Sequence, residues 1–102
     1  MGVETARRFR RLPRIQLLGM AIPVAETRLS RLLGLALLTR ERAGAGLLIP
    51  RCRSVHTLGM RFPLDLIFLD RDGGVLELRR GVPPGRFIRC PGAMAVLELP
   101  SP

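Results

Sequence analysis

The sequence predicts a small α+β domain, a bent and mostly antiparallel sheet or partial barrel with one packed helix. Three observations predict it. Residues 64–69 (LDLIFL) place Leu64, Leu66 and Phe68 on one side and Ile67 and Leu69 on the other, so both faces are apolar, as in a central strand. Further short apolar runs are cut by Gly and Pro into lengths suited to strands. After Thr27, apolar residues recur at helical spacing.

The elements follow in order. Arg14–Leu18 and Ala21–Val24 flank Gly19 and read as a short hairpin. Thr27 is an N-cap candidate, and Leu29, Leu32, Leu33, Ala36 and Leu37 then form one helical stripe with Arg28 and Arg31 opposite. Gly34 weakens the last turn, by about 1 kcal/mol relative to Ala. Residues 43–46 (AGAG) read as a loop, Leu47–Ile49 as a strand stopped by Pro50, and Arg51–Thr57 as extended. Asp70–Gly74 makes a hairpin loop, because glycine supplies the positive φ of a tight reversal. Val75–Arg79 returns with Leu76 and Leu78 on one face and Glu77 and Arg79 on the other. Phe87–Cys90 and Ala93–Leu99 supply the last strands, separated by Pro91-Gly92.

A chain of 102 residues has room for one domain, expected over 14–100 behind a flexible basic arm at 1–13. The net charge is +9, and all 17 basic residues are arginine. Five of them face only Glu4 within residues 1–14; the other twelve stand against seven acids. Such charge suits nucleic acid, which is possible but not favoured here. The total arginine bias suggests a coding preference, and with no Trp or Tyr and four Phe there is little for bases to stack on. The basic start and the run 15–22 imitate an export signal, yet Gln16 interrupts it and Pro23 closes it early. No run reaches the ~18–20 apolar residues of a membrane span. A cytoplasmic location is the expectation.

Residues 63–70 (PLDLIFLD), followed by Asp72-Gly73 and Val75, resemble the signature hairpin of the domain of unknown function 192 family. Residues 31–35 (RLLGL) resemble its helix, Gly46–Ile49 its next strand, and Val96–Pro100 its closing strand. Many members carry Trp-Met-Lys-Asn-Thr just before the Pro-Leu-Asp, whereas His56–Met60 stand here. The resemblance implies a fold and no particular chemistry.

His56 is the only histidine, and imidazole is the side chain that titrates near neutrality. It reads as a general base or ligand-binding donor, or as a histidine satisfied by a backbone carbonyl. Asp65, on a strand apolar on both faces, needs a partner: Arg61, Arg53 and His56 are near in sequence, and capping of backbone N–H groups is the structural alternative. Cys52, His56 and Cys90 suggest zinc, but four residues of extended chain span ~13 Å, too far for shared ligation without a turn. Asp70-x-Asp72-Gly73 opens like a calcium loop, but its twelfth position is Gly81. No metal and no cofactor is expected.

These residues lead to a non-catalytic binding or accessory module for an acidic small ligand or a protein partner. Its surface is expected at Arg51, Arg53, His56, Thr57, Met60, Arg86 and Arg89. Two alternatives stand beside it: a small enzyme using His56 and Asp65 as an acid/base pair, and nucleic-acid binding through the arginine arm.

Overall fold

The structure is a computed structural model and describes residues 7–102. Among the described residues, eight strands form three antiparallel sheets. β1 (Arg14–Leu17) and β2 (Met20–Pro23) make a hairpin; β3 (Leu47–Pro50), β8 (Ala95–Pro100), β5 (Leu64–Leu69) and β6 (Val75–Val82) lie side by side in that order; β4 (Ser54–His56) pairs with β7 (Phe87–Arg89). The sheets do not close into a barrel, and two short helices, α1 (Arg28–Leu33) and α2 (Arg40–Ala43), replace the one expected.

β5 occupies the centre that its two apolar faces required, between β8 and β6. Its faces differ, however. Leu64, Leu66 and Phe68 are fully buried, packed in the main core with Leu47, Ile49 and Val96, whereas Ile67 and Leu69 are only half-covered. Strand register carries this division across the sheet. Ile67 stands opposite Leu97, and Leu97 opposite Leu48, all on the outer face; Leu66 stands opposite Glu98, and Glu98 opposite Leu47, on the inner face.

β6 is one edge strand of this sheet and β3 the other. Leu78 lies beside Ile67 on the outer face, while Glu77 and Arg79 lie beside Phe68 and Leu66. Two bulges interrupt the pairing, because β6 advances from Val82 to Arg79 while β5 goes from Leu64 to Leu66, and from Glu77 to Val75 while β5 goes from Phe68 to Leu69. Gly81, with φ +62°, supplies the left-handed residue of the first bulge. Its N–H, displaced from the ladder, is taken by Asp65 Oδ1 at 2.9 Å, and Ser101 Oγ donates to the same oxygen at 2.5 Å. Asp65 is thus a carboxylate capping a bulge.

The helical segment departs most from expectation. Thr27 is the N-cap and forms a capping box with Ser30: Ser30 N donates to Thr27 Oγ1 at 3.0 Å, and Thr27 N to Ser30 Oγ at 3.1 Å. The helix then stops after six residues, since Gly34 turns left-handed at φ +53°. The reversal buries Leu35 and Ala36 and turns Leu29, Leu32 and Leu37 outward, so the predicted apolar stripe never forms. Arg31, expected on the solvent side, instead donates to the carbonyls of Pro50 and Arg51.

Of the expected N-terminal arm, residues 1–6 lie outside the described residues. Residues Arg7–Phe9 form a 3-10 turn, and Phe9 and Leu12 enter the core. Arg8 donates to the carbonyls of Gly34 (2.8 Å) and Ala36 (2.5 Å).

Gly46, at φ +131°, runs so close to β8 that a Cβ would collide with the Glu98 carbonyl and the Leu99 side chain; Gly92, at φ +92°, has open space around it. Gly92→Ala is therefore expected to cost only conformational strain, about 1–2 kcal/mol. Gly46→Ala adds a backbone clash to that strain and should cost clearly more. Urea denaturation of the two variants beside the parent chain measures the difference.

Candidate functional site

On the inner side of the sheet, the residues from Arg31 to Gly34, β3, β4 and β8 surround a small cavity of about 110 Å³. His56, Cys52, Ser54, Arg31 and Glu98 supply its polar walls. Leu32 and Phe87 also line it, yet they are 66% and 67% exposed, giving it an apolar rim.

β4 places His56 here by pairing with β7, where His56 stands opposite Phe87 and Ser54 opposite Arg89. His56 Nε2 lies 3.0 Å from the Leu32 carbonyl. A carbonyl only accepts, so Nε2 carries the proton, and in the neutral ring Nδ1 is an acceptor. That Nδ1 is buried and has no hydrogen-bond partner among the described residues. Cys52 Sγ donates to Ser54 O at 3.0 Å, and both cysteines are free thiols.

Glu98 was not singled out from the sequence, and it is the least ordinary group in the cavity. It sits on β8 and is buried, with its Oε1 accepting from Leu35 N at 3.2 Å. Burial pushes the carboxyl up to about 7, against the opposing pull of the Leu35 N–H and the positive charge of Arg8. Burial lowers Arg8 in turn, and the charge of Glu98 partly offsets this. Gly34 leaves room for the carboxylate: a Cβ there would meet Glu98 Oε1 and force that side chain to shift, and the positive φ of +53° disfavours any other residue. A lone acid among Val96, Leu97 and Leu99 was the available signal, since a carboxylate on a buried strand must be held by something.

The expected surface residues divide in two. Arg51, Arg53, Arg86 and Arg89 are all exposed, and among the described residues none of them forms a salt bridge. Arg51 has φ +50°, uncommon for a non-glycine residue, and its carbonyl receives Arg31 Nη2 at 3.1 Å. Thr57 and Met60 lie in the interior. Thr57 Oγ1 donates to Pro83 O at 2.8 Å and accepts from Arg86 N at 2.7 Å, pinning the 83–86 loop to the end of β4. Of the two catalytic candidates, only His56 borders the cavity. Asp65 is engaged at the β6 bulge, and the acid sharing the cavity with His56 is Glu98. Among the described residues no three His, Cys, Asp or Glu side chains gather as a metal-ligand set, and no helix is long and apolar enough to cross a membrane.

The model of the DUF192 family, described as an uncharacterized ACR, matches residues 14–101. The chain belongs to this family. Its fold is similar to that of a protein of unknown function from Novosphingobium aromaticivorans, with TM-score 0.62 and 20% identity over 86% of this chain and 71% of the other. At that identity the likeness concerns the fold alone. No curated protein matches the chain. For this DUF192 domain the chemistry therefore has to be read from the cavity itself.

Glu98 gives the domain a pH-dependent stability of definite sign. Its folded value of about 7 lies above the ordinary 4.5, so the folded state holds a proton that the unfolded chain releases. The contribution is fully present below the ordinary carboxylate range and is lost as pH rises towards 7. Between pH 4.5 and 7 the loss is of order 3 kcal/mol. Urea denaturation at pH 5 and pH 8 should show the decline, and Glu98→Gln, which keeps an acceptor for Leu35 N, should remove most of it.

Proposed function

We propose that this domain is a non-catalytic binding module that takes an acidic group, carried by a small ligand or a partner protein, at the His56 cavity. The observation that carries the reading is the buried Nδ1 of His56, without a partner among the described residues, on a side chain that lines a cavity of about 110 Å³. A water takes roughly 30 Å³ in the liquid, so the space suits one carboxylate or phosphate group rather than a whole metabolite. A carboxylate or phosphate entering as its anion would meet Nδ1 through a proton taken up with it from solvent, which makes the contact charge-assisted.

The surroundings favour the same class. The exposed arginines at 51, 53, 86 and 89 flank β4 and β7 and bias approach towards negative charge. The apolar rim of Leu32 and Phe87 gives the rest of a ligand or partner something to cover. A catalytic reading has one observation in its favour: Glu98, poised near neutrality, borders the same cavity as His56.

The test is titration of the isotope-labelled chain with sodium acetate and with inorganic phosphate, followed by nuclear magnetic resonance. Saturable shifts are expected at Leu32, His56 and Phe87, abolished by His56→Ala. That variant loses one hydrogen bond, about 1 kcal/mol, and should remain folded. Shifts spread over all surface arginines without saturation, or left intact by His56→Ala, would overturn the reading.

A further inference from the structure

The opposite face of the sheet carries a second and larger cavity. The β1–β2 hairpin stands away from the outer face of the four-stranded sheet, leaving an open trough of about 660 Å³. One wall is the hairpin, with Ile15, Leu17 and the tip residue Leu18; the other is the sheet, with Leu48, Ile67, Leu69 and Leu97. Two apolar walls therefore face each other across a gap. Leu18, 65% exposed, takes φ +54° to make the tight reversal at the hairpin tip.

Charge enters at one end only. Asp70 and Arg71 line the trough where β5 leaves the sheet. The Asp70 carboxylate is committed to its own loop: Oδ1 accepts from Asp72 N and Gly74 N, each at 2.8 Å. Arg71 is exposed and, among the described residues, has neither an ion pair nor a hydrogen bond. The trough thus has long apolar sides and, at one end, a guanidinium without a partner among the described residues beside a carboxylate already held by two backbone N–H groups. A volume between about 300 and 1,000 Å³ with apolar walls and few polar groups is that of a small-molecule site.

We infer that the trough binds an amphipathic monoanion of the fatty-acid type, its chain between hairpin and sheet and its carboxylate on Arg71. This site is separate from the His56 cavity, which borders the inner face of the same sheet. The hydrophobic effect supplies most of the binding, and Arg71 selects the head group and sets the direction of the chain.

The experiment is calorimetric titration of the full chain with dodecanoate, dodecanol and dodecylammonium, each below its micelle-forming concentration. Dodecanoate should bind once per chain with a negative heat-capacity change, and about fourfold more weakly for each methylene removed. Dodecanol should bind at least tenfold more weakly than dodecanoate, and dodecylammonium more weakly still. Arg71→Gln should bring dodecanoate to the affinity of the alcohol. Met94→Glu, at an exposed lining position, should weaken the carboxylate more than the alcohol. His56→Ala should change none of this, so failure here is distinguishable from failure of the His56 reading.

Three results would overturn the inference. One is equal affinity for acid and alcohol, or affinity untouched by Arg71→Gln. Another is a ligand-free chain that light scattering shows to be dimeric and that Met94→Glu makes monomeric, which gives the trough to a second copy. The third is association with anionic vesicles but no saturable binding of monomeric dodecanoate.

Discussion

A single buried carboxylate organises the inner half of this domain. Glu98 arises from the middle of β8, one of the two interior strands of the four-stranded sheet, and accepts the N–H of Leu35. From the other side Arg8 holds the carbonyls of Gly34 and Ala36. The turn after α1 is thereby clamped between an acid that takes its N–H and a base that takes its C=O groups. The two charged groups reach each other through that peptide segment, and no direct ion pair joins them among the described residues. The clamp holds the reversal at Gly34 where Leu35 and Ala36 enter the core, just after the Leu32 carbonyl that meets the His56 ring.

Much of the sheet was legible in the sequence because strand signals are local. The apolar alternation of Leu64–Leu69, the Asp70–Gly74 turn and the stop at Pro50 each report on their own few residues, and each element appears where they place it. The helix was legible at its start and not at its end. Thr27 and Ser30 form a cap that needs only each other, whereas the chain just past Gly34 is held at Leu35 N by Glu98, sixty-three residues away. Periodicity therefore produced a stripe from Leu29 to Leu37 that the chain does not build. The same distance in sequence hid the candidate site. His56 stood out by residue type alone, while Glu98 matters through burial and through Leu35, which no window around residue 98 contains. Asp65 stood out for sound physical reasons, a carboxylate on a doubly apolar strand, and those reasons were met by a bulge N–H and a serine hydroxyl.

The sheet also separates two kinds of environment. Its inner face meets a compact core and a small cavity with polar walls and an apolar rim. Its outer face meets an open trough with apolar walls, its charged lining residues confined to one end. Family membership fixes the scaffold on which both lie, but the distinction between them comes from the side-chain register, in which Leu48, Leu97 and Ile67 turn one way and Leu47, Glu98 and Leu66 the other.

The irregularity of β6 bears on how such a sheet survives at high concentration. A free edge beside an apolar face invites a neighbouring molecule to add its own strand and begin a fibre. Here the irregularities at Leu76 and at Arg80-Gly81 leave only a short stretch of even pleat between them, and that stretch, Glu77 to Arg79, is charged at both ends. An incoming strand finds no long run of matching donors and acceptors. The edge guards itself against polymerisation by geometry and by arginine, leaving the apolar face open to smaller visitors.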